Sequence, residues 1–234
     1  IIGRNFSINK MKYITNILQG YGYDRGSLYV NASYFLAFLL FEYDEEKNDK
    51  ITVSMVVLDS LKIFVNTFIH MINPKSEKAR EAVKFVTRFI SNFYYTIFYH
   101  KKLHSEKVEY IKNIKIRDET VKNFVAIVLP FIETSLFNAP HSLREQALKI
   151  VPKLAELNYE KTVSELLPFC MKNMVDSELT SMAKICFKVV KVLIPQLLNT
   201  KHIDENLTKI PSIIDASLEF CKNSLLANYY LGMS

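Results

Sequence analysis

Apolar side chains recur every three or four positions along most of this chain, and the runs break at proline, asparagine or clustered charge. That pattern predicts a succession of amphipathic α-helices. Strict alternation is scarce, and neither Asn-Gly nor Asp-Gly occurs to turn a hairpin. A first helix is predicted over residues 6–18. Residues 28–41 make a second one, apolar enough that most of its surface should be buried. Residues 51–72 follow as a long helix with Val57, Leu61, Phe64, Val65 and Phe68 inward, together with Val53 and Val56. Asn73-Pro74 stops it, because the residue before proline avoids helical geometry. Ser76 then caps a helix reaching about Tyr99, with Ala79, Val83, Phe85, Val86, Phe89 and Ile90 on its core side.

The clearest internal order lies between residues 118 and 199. Val128-Leu129-Pro130-Phe131 and Leu166-Leu167-Pro168-Phe169 carry the same signature about one helical-repeat period apart. In the first unit Asp118 is the expected cap of a helix that buries Val121, Phe124, Val125, Val128, Ile132 and Leu136. Pro130 removes one backbone hydrogen bond and should bend it. Asn138-Ala139-Pro140 breaks that helix, and Ser142 with Glu145 resembles a capping box for the next. Leu143, Ala147, Ile150, Val151 and Leu154 face inward there, with Arg144, Lys149 and Lys153 mainly on the wet side. The second unit is expected to start at Asn158, to bury Val163, Leu166, Leu167 and Cys170, to bend at Pro168 and to turn at Val175-Asp176-Ser177. Ala183 stands in its partner helix where Ala147 stands in the first. A third unit opens near Thr208 with Ile210-Pro211-Ser212-Ile213, its stripe continuing through Leu218, Cys221 and Leu225.

One helix pair cannot bury its own apolar face, whereas stacked pairs share a continuous core. The expected fold is therefore all-α, an α-solenoid of HEAT-like antiparallel helix pairs. Three regions are expected within it: 1–50, N-terminal helices and a charged connector; 51–117, a helix pair with a basic inter-repeat segment; and 118–234, tandem HEAT-like repeats. All three read as parts of one larger solenoid, of which this chain is an interior segment.

Composition agrees with a packed helical chain. Of 234 residues, 49% are hydrophobic and only 5 are glycine, enough apolar surface for a substantial core. The net charge of +6, from 30 basic and 24 acidic residues, favours anionic partners without defining a nucleic-acid-binding domain. Cys170, Cys186 and Cys221 are odd in number and lie on helix stripes, which predicts buried free thiols in a reducing compartment, cytoplasm or nucleus. The longest apolar run, residues 34–41, is too short to cross a bilayer, so no membrane partner is expected.

Candidate chemistry is sparse. Residues 20–26 hold three of the glycines, but their spacing fits neither the dinucleotide fingerprint nor the Walker pattern, and a turn is the better account. The connector over residues 42–50 is too polar to pack. Between residues 100 and 117, Lys101, Lys102, Lys107, Lys112, Lys115 and Arg117 form a candidate anion-binding patch for a phosphate-rich ligand or an acidic protein surface. A solvated loop between repeats is the plainer alternative. His100 and His104 are one turn apart, yet no Glu or Cys joins them at zinc-ligand spacing. No nucleophile elbow, paired carboxylates or metal set is legible, so no enzyme is expected.

The order Asn73-Pro74, a helix ending near Tyr99 with basic residues behind it, Asp118-x-x-Val121-x-x-Phe124-Val125 before Pro130, Ala147-Leu148 with Leu154-Ala155, and Tyr159-Glu160 ahead of Leu167-Pro168 resembles the large HEAT-repeat activators that cap the proteasome core particle, the family related to the yeast bleomycin-sensitivity proteins. The likeness covers roughly residues 60–200. It implies part of a dome-shaped solenoid, with the 20S core particle as partner, influence on gate opening and substrate access, and inositol phosphate as a ligand not assignable to residues here. Two family features are missing: the chain has no Trp, and Tyr229-Tyr230 is followed by four residues where a hydrophobic-Tyr-any-residue tail would end. The alternatives are a protein-binding scaffold of nuclear-transport or phosphatase type, and a polyphosphate or nucleic-acid binder using the basic patch.

Overall fold

The computed structural model describes residues 26–43, 52–73, 76–105, 114–176, 180–199 and 206–231. Within them the chain is helical apart from one short bridge, as the three-and-four spacing requires. The helices are α1 (Gly26–Leu39), α2 (Val53–Ile69), α3 (Glu77–Ser105), α4 (Asp118–Asn138), α5 (His141–Leu157), α6 (Tyr159–Asp176), α7 (Thr180–Leu197) and α8 (Ile210–Leu231). Two short strands, β1 (Glu42–Tyr43) and β2 (Ile114–Lys115), pair antiparallel with Glu42 opposite Lys115. The expected helix over residues 6–18 and the glycine-rich residues 20–25 lie outside the described residues.

The chain divides into two compact units, residues 1–153 and 154–234. In the first, helices pack with alternate neighbours: α1 lies against α3, and α2 against α4, while consecutive helices touch less extensively. The core between them is aromatic. Phe68 and Phe64 of α2 are 4.7 Å apart, Phe64 meets Phe85 of α3 at 5.2 Å, and Phe85 meets Phe89 at 6.0 Å. Phe124 of α4 then stands 5.4 Å from Phe89 and 4.4 Å from Phe93. Phe41 continues the series, 6.5 Å from Phe93 and 5.1 Å from the His100 ring. Each tilted or edge-on pair adds about 0.5–1.5 kcal/mol to the gain from burial. A buried hydrogen bond from Asn92 Nδ2 to Ser33 Oγ, 2.7 Å, fixes how α3 lies on α1.

The second unit is built differently. α6 and α7 form its principal helix pair, and α8 lies mainly on α6. Its buried side chains are small or aliphatic: Val163, Leu166, Leu167, Cys170, Ala183, Cys186, Val189, Val190 and Leu193. One stacked ring pair, Phe187 with Phe220 at 5.0 Å, joins α7 to α8. Asn206, wholly buried, ties three elements together. Its Nδ2 donates to the Leu197 carbonyl at the end of α7 (2.9 Å), and its Oδ1 accepts from the Tyr159 hydroxyl at the start of α6 (2.7 Å).

Several local expectations change in three dimensions. Where the burial of α1 is described, Ser33, Leu36, Ala37 and Leu39 are buried, while Tyr34, Phe35 and Phe38 are 54%, 44% and 46% exposed, so one side of this part of the helix stays open. α3 runs on from Tyr99 to Ser105, so His100, Lys101 and Lys102 belong to a helix and not to a loop. At α4 the N-cap is Arg117, without a side-chain cap, and Asp118 occupies the first turn with Glu119, where carboxylates oppose the helix dipole's positive end. α5 starts at His141, and the Pro140 carbonyl accepts from the Leu143 and Arg144 amides, so Ser142 is not the cap. Asn158 does cap α6, its Oδ1 accepting from the Lys161 amide at 3.2 Å, and Ser76 caps α3 through the Ala79 amide.

On α8 the inward positions are Ile213 and Ala216, with Phe220 half-buried, while Leu218 (63%) and Cys221 are exposed. The apolar stripe there runs one face away from the expected one, because the Phe187 ring recruits Phe220. α4 is the one described helix long and apolar enough to cross a membrane. Here Phe124, Val125, Val128, Leu129, Phe131 and Ile132 are fully buried and make it a core helix.

Candidate interaction surface

Four of the six residues of the expected basic patch lie among the described residues. Lys101 and Lys102 lie exposed on the last turns of α3, Lys115 is exposed on β2, and Arg117 precedes α4. Lys107 and Lys112 lie outside the described residues. Arg117 is already engaged: its Nε stands 2.5 Å from Glu42 Oε2, an ion pair. The other Glu42 oxygen accepts from the Ser54 hydroxyl at the start of α2. Glu42 was expected in a connector too polar to pack, yet its side chain is only 10% exposed. A carboxylate can be buried here because a cation and a hydroxyl face its two oxygens. So the beginning of the connector is structural, and residues 44–50 are outside the described residues.

His100 is held in the same region. Its Nε2 lies 2.8 Å from the Ile114 carbonyl of β2, and its ring faces Phe41. This geometry joins the end of α3 to the bridge. Among the described residues no group of three or more His, Cys, Asp or Glu is placed to hold a metal ion.

A surface not anticipated from the spacing lies along the outer side of α3. Tyr95, Phe98 and Tyr99 are 45%, 56% and 60% exposed; Phe98 lies opposite the buried Phe85, Phe89 and Phe93, and Tyr95 and Tyr99 lie on the flank between them. Tyr94 meets Tyr95 edge to face at 5.4 Å, and Phe98 meets Tyr99 at 6.0 Å. Lys153 of α5, expected on the wet side, is half-buried instead. Its ammonium donates to Ser91 Oγ at 2.9 Å and sits 4.5 Å above the Tyr95 ring, a cation–π contact. The signal for this surface was in the run Phe93-Tyr94-Tyr95-Thr96-Ile97-Phe98-Tyr99, whose aromatics are too many for one face of a helix. Periodicity alone assigns such a run to the core.

The cysteines also separate. Cys170 on α6 and Cys186 on α7 are buried, and Cys221 on α8 is exposed, contrary to its expected place in a core stripe. A hydrogen bond from Cys170 lowers the Cys186 pKa below the ordinary thiol value of 9.0; burial works in the opposite direction. With no solvent access to either sulfur, this pair serves packing between helices and does not form an open nucleophilic site.

Comparison of the chain with protein-family models, with curated proteins and with solved structures finds no match.

Proposed function

We propose that this chain is a non-catalytic helical-repeat scaffold, an α-solenoid of HEAT-like helix pairs whose work is to hold protein partners. The observation that carries this reading is the stacking of alternate helices, α1 on α3 and α2 on α4 in one unit and α6 on α8 in the other. Equivalent helices of successive repeats pack in that way when each pair lacks a core of its own. Ala147 and Ala183, expected at matching positions of two repeats, are both buried.

The more specific form of the proposal is a segment of a HEAT-repeat activator that caps the 20S proteasome core particle and influences gate opening and substrate access, in cytoplasm or nucleus. It rests on the ordered features from Asn73-Pro74 to Leu167-Pro168. Affinity purification of the tagged full-length protein, with mass spectrometry of what it carries, tests it. Core-particle subunits at stoichiometric levels are the expected result. A preparation free of every core-particle subunit overturns the specific form, and recovery of transport cargoes or phosphatase subunits in their place would move the scaffold to that class. Binding of polyphosphate or nucleic acid through the basic patch is a weaker reading, because Arg117 is committed to Glu42.

A further inference from the structure

We propose that the outer face of α3 is a docking site for an acidic, aromatic-containing segment of a partner protein, with Tyr95, Phe98 and Tyr99 as the contact rings and Arg88 and Lys153 as the cations beside them. This deepens the scaffold reading and depends on it only in taking the partner to be a protein.

Three observations point the same way. The first is exposure: three large rings within five residues stand about half out in solvent on a helix whose other side is fully buried. Such contiguous apolar exposure marks interaction sites on folded proteins. The second is spacing. Arg88, Tyr95, Tyr99 and Lys102 fall seven, four and three residues apart, one stripe of about 20 Å along the helix. That is the size and form in which one helix face meets an extended or helical partner segment. Tyr and Arg are also the residue types that concentrate binding energy at protein interfaces.

The third observation is charge. From Lys84 to Ser105 α3 contains no Asp or Glu, while Lys84, Arg88, Lys101 and Lys102 are all basic and exposed. Lys84 is paired with Glu81, one turn back. Complementarity therefore selects carboxylates on the partner. Lys153 adds to this, since its ammonium is fixed by Ser91 and Tyr95 at the edge of the rings and loses little freedom on meeting an acid. A single-stranded nucleic acid fits less well. Base stacking needs an open ring face, and Lys153 already covers one face of Tyr95, while Phe98 and Tyr99 lie edge to face with each other.

The test uses the full chain with a fluorescently labelled random copolymer of glutamate and tyrosine, compared by anisotropy with labelled poly-glutamate and with poly-uridylate. The copolymer should bind more tightly than either. Tyr95→Ser together with Tyr99→Ser should weaken it about tenfold or more, as removal of interface anchors does, and adding Arg88→Glu should weaken it further. These side chains are exposed, so circular dichroism melting of both variants should match the parent. Lys172→Glu, exposed on α6, should leave binding unchanged. Equal binding of poly-glutamate, copolymer affinity unaffected by the tyrosine pair, or tighter binding of poly-uridylate overturns the proposal. Failure here with core-particle capture retained would discard the surface and leave the scaffold standing, and the reverse pattern would do the opposite.

Discussion

The two units hold their helices together by different means. In the first, rings from α2, α3 and α4, with Phe41 from the segment after α1, form a continuous series from Phe68 to Phe41. In the second, aliphatic side chains, Ala183 and two cysteines fill the space between α6 and α7, and a buried amide, Asn206, ties the segment before α8 to α6 and α7. Large rings tolerate variation in helix crossing because each touches several neighbours. A small-residue interface has less to grip, so its geometry is set by hydrogen bonds that must be made or left unpaired in a dry site. One consequence concerns excess: the aromatic-rich α3 has more rings than its core can take, and the remainder forms the exposed face, whereas α6 and α7 carry no comparable surplus.

The largest effect expected from breaking this contrast is at Phe124, which contacts two rings of α3. Phe124→Ala should cost about 3–5 kcal/mol, read by chemical denaturation followed by circular dichroism, with hydrogen exchange rising in α3 and α4. A loss below 1 kcal/mol would mean that the ring series does not carry the first unit. Asn206→Ala should come next, at about 1–3 kcal/mol for leaving buried groups unpaired at Leu197 and Tyr159; exchange should rise at the end of α7 and the start of α8. If Asn206→Ala melts with the parent, the second unit does not depend on its polar tie.

Ala147→Leu should overpack the first unit at a cost of about 1–3 kcal/mol, and an unchanged melting temperature would remove Ala147 from a close helix contact. Glu42→Gln keeps the shape but loses the charge facing Arg117. About 1 kcal/mol is expected, since Arg117 is more than half exposed and water screens the pair, and the loss should shrink in high salt.

The smallest effect is at the thiol pair. Cys186 has a lowered pKa in the folded chain, so its thiolate contributes stability that is complete above the ordinary value of 9.0 and lost as pH falls through the lowered one. Cys170→Ala removes the hydrogen bond that causes the lowering. The parent should therefore gain stability relative to the variant as pH rises towards 9, with thiolate absorbance at 240 nm appearing at lower pH in the parent. Identical titrations would exclude the Cys170 hydrogen bond as the cause.

Much of the fold could be read from residue order. The three-and-four spacing located the helices, Ser76 and Asn158 announced their starts, and Phe124, Val128, Leu143, Ala147, Val163 and Cys170 are buried where that spacing put them. The candidate site was much less legible. The lysines were visible as a cluster, but Arg117 turned out to be committed to a carboxylate 75 positions away in the chain's order, on a segment whose polarity suggested solvent. The rings of α3 gave no sign of which would remain outside.

By itself the sequence determined an all-helical chain, the lengths of most helices and the identity of the residues able to leave water. These depend on contacts within a few turns, where backbone hydrogen bonding and side-chain spacing act alone. Tertiary structure alone decided that α3 extends past Tyr99, that the α8 stripe turns towards Phe187, that Glu42 is sheltered and that Tyr95, Phe98 and Tyr99 face outward. Each of these depends on what a distant segment places beside the residue, because burial and charge pairing are properties of an environment and helix periodicity describes only the side chain's direction.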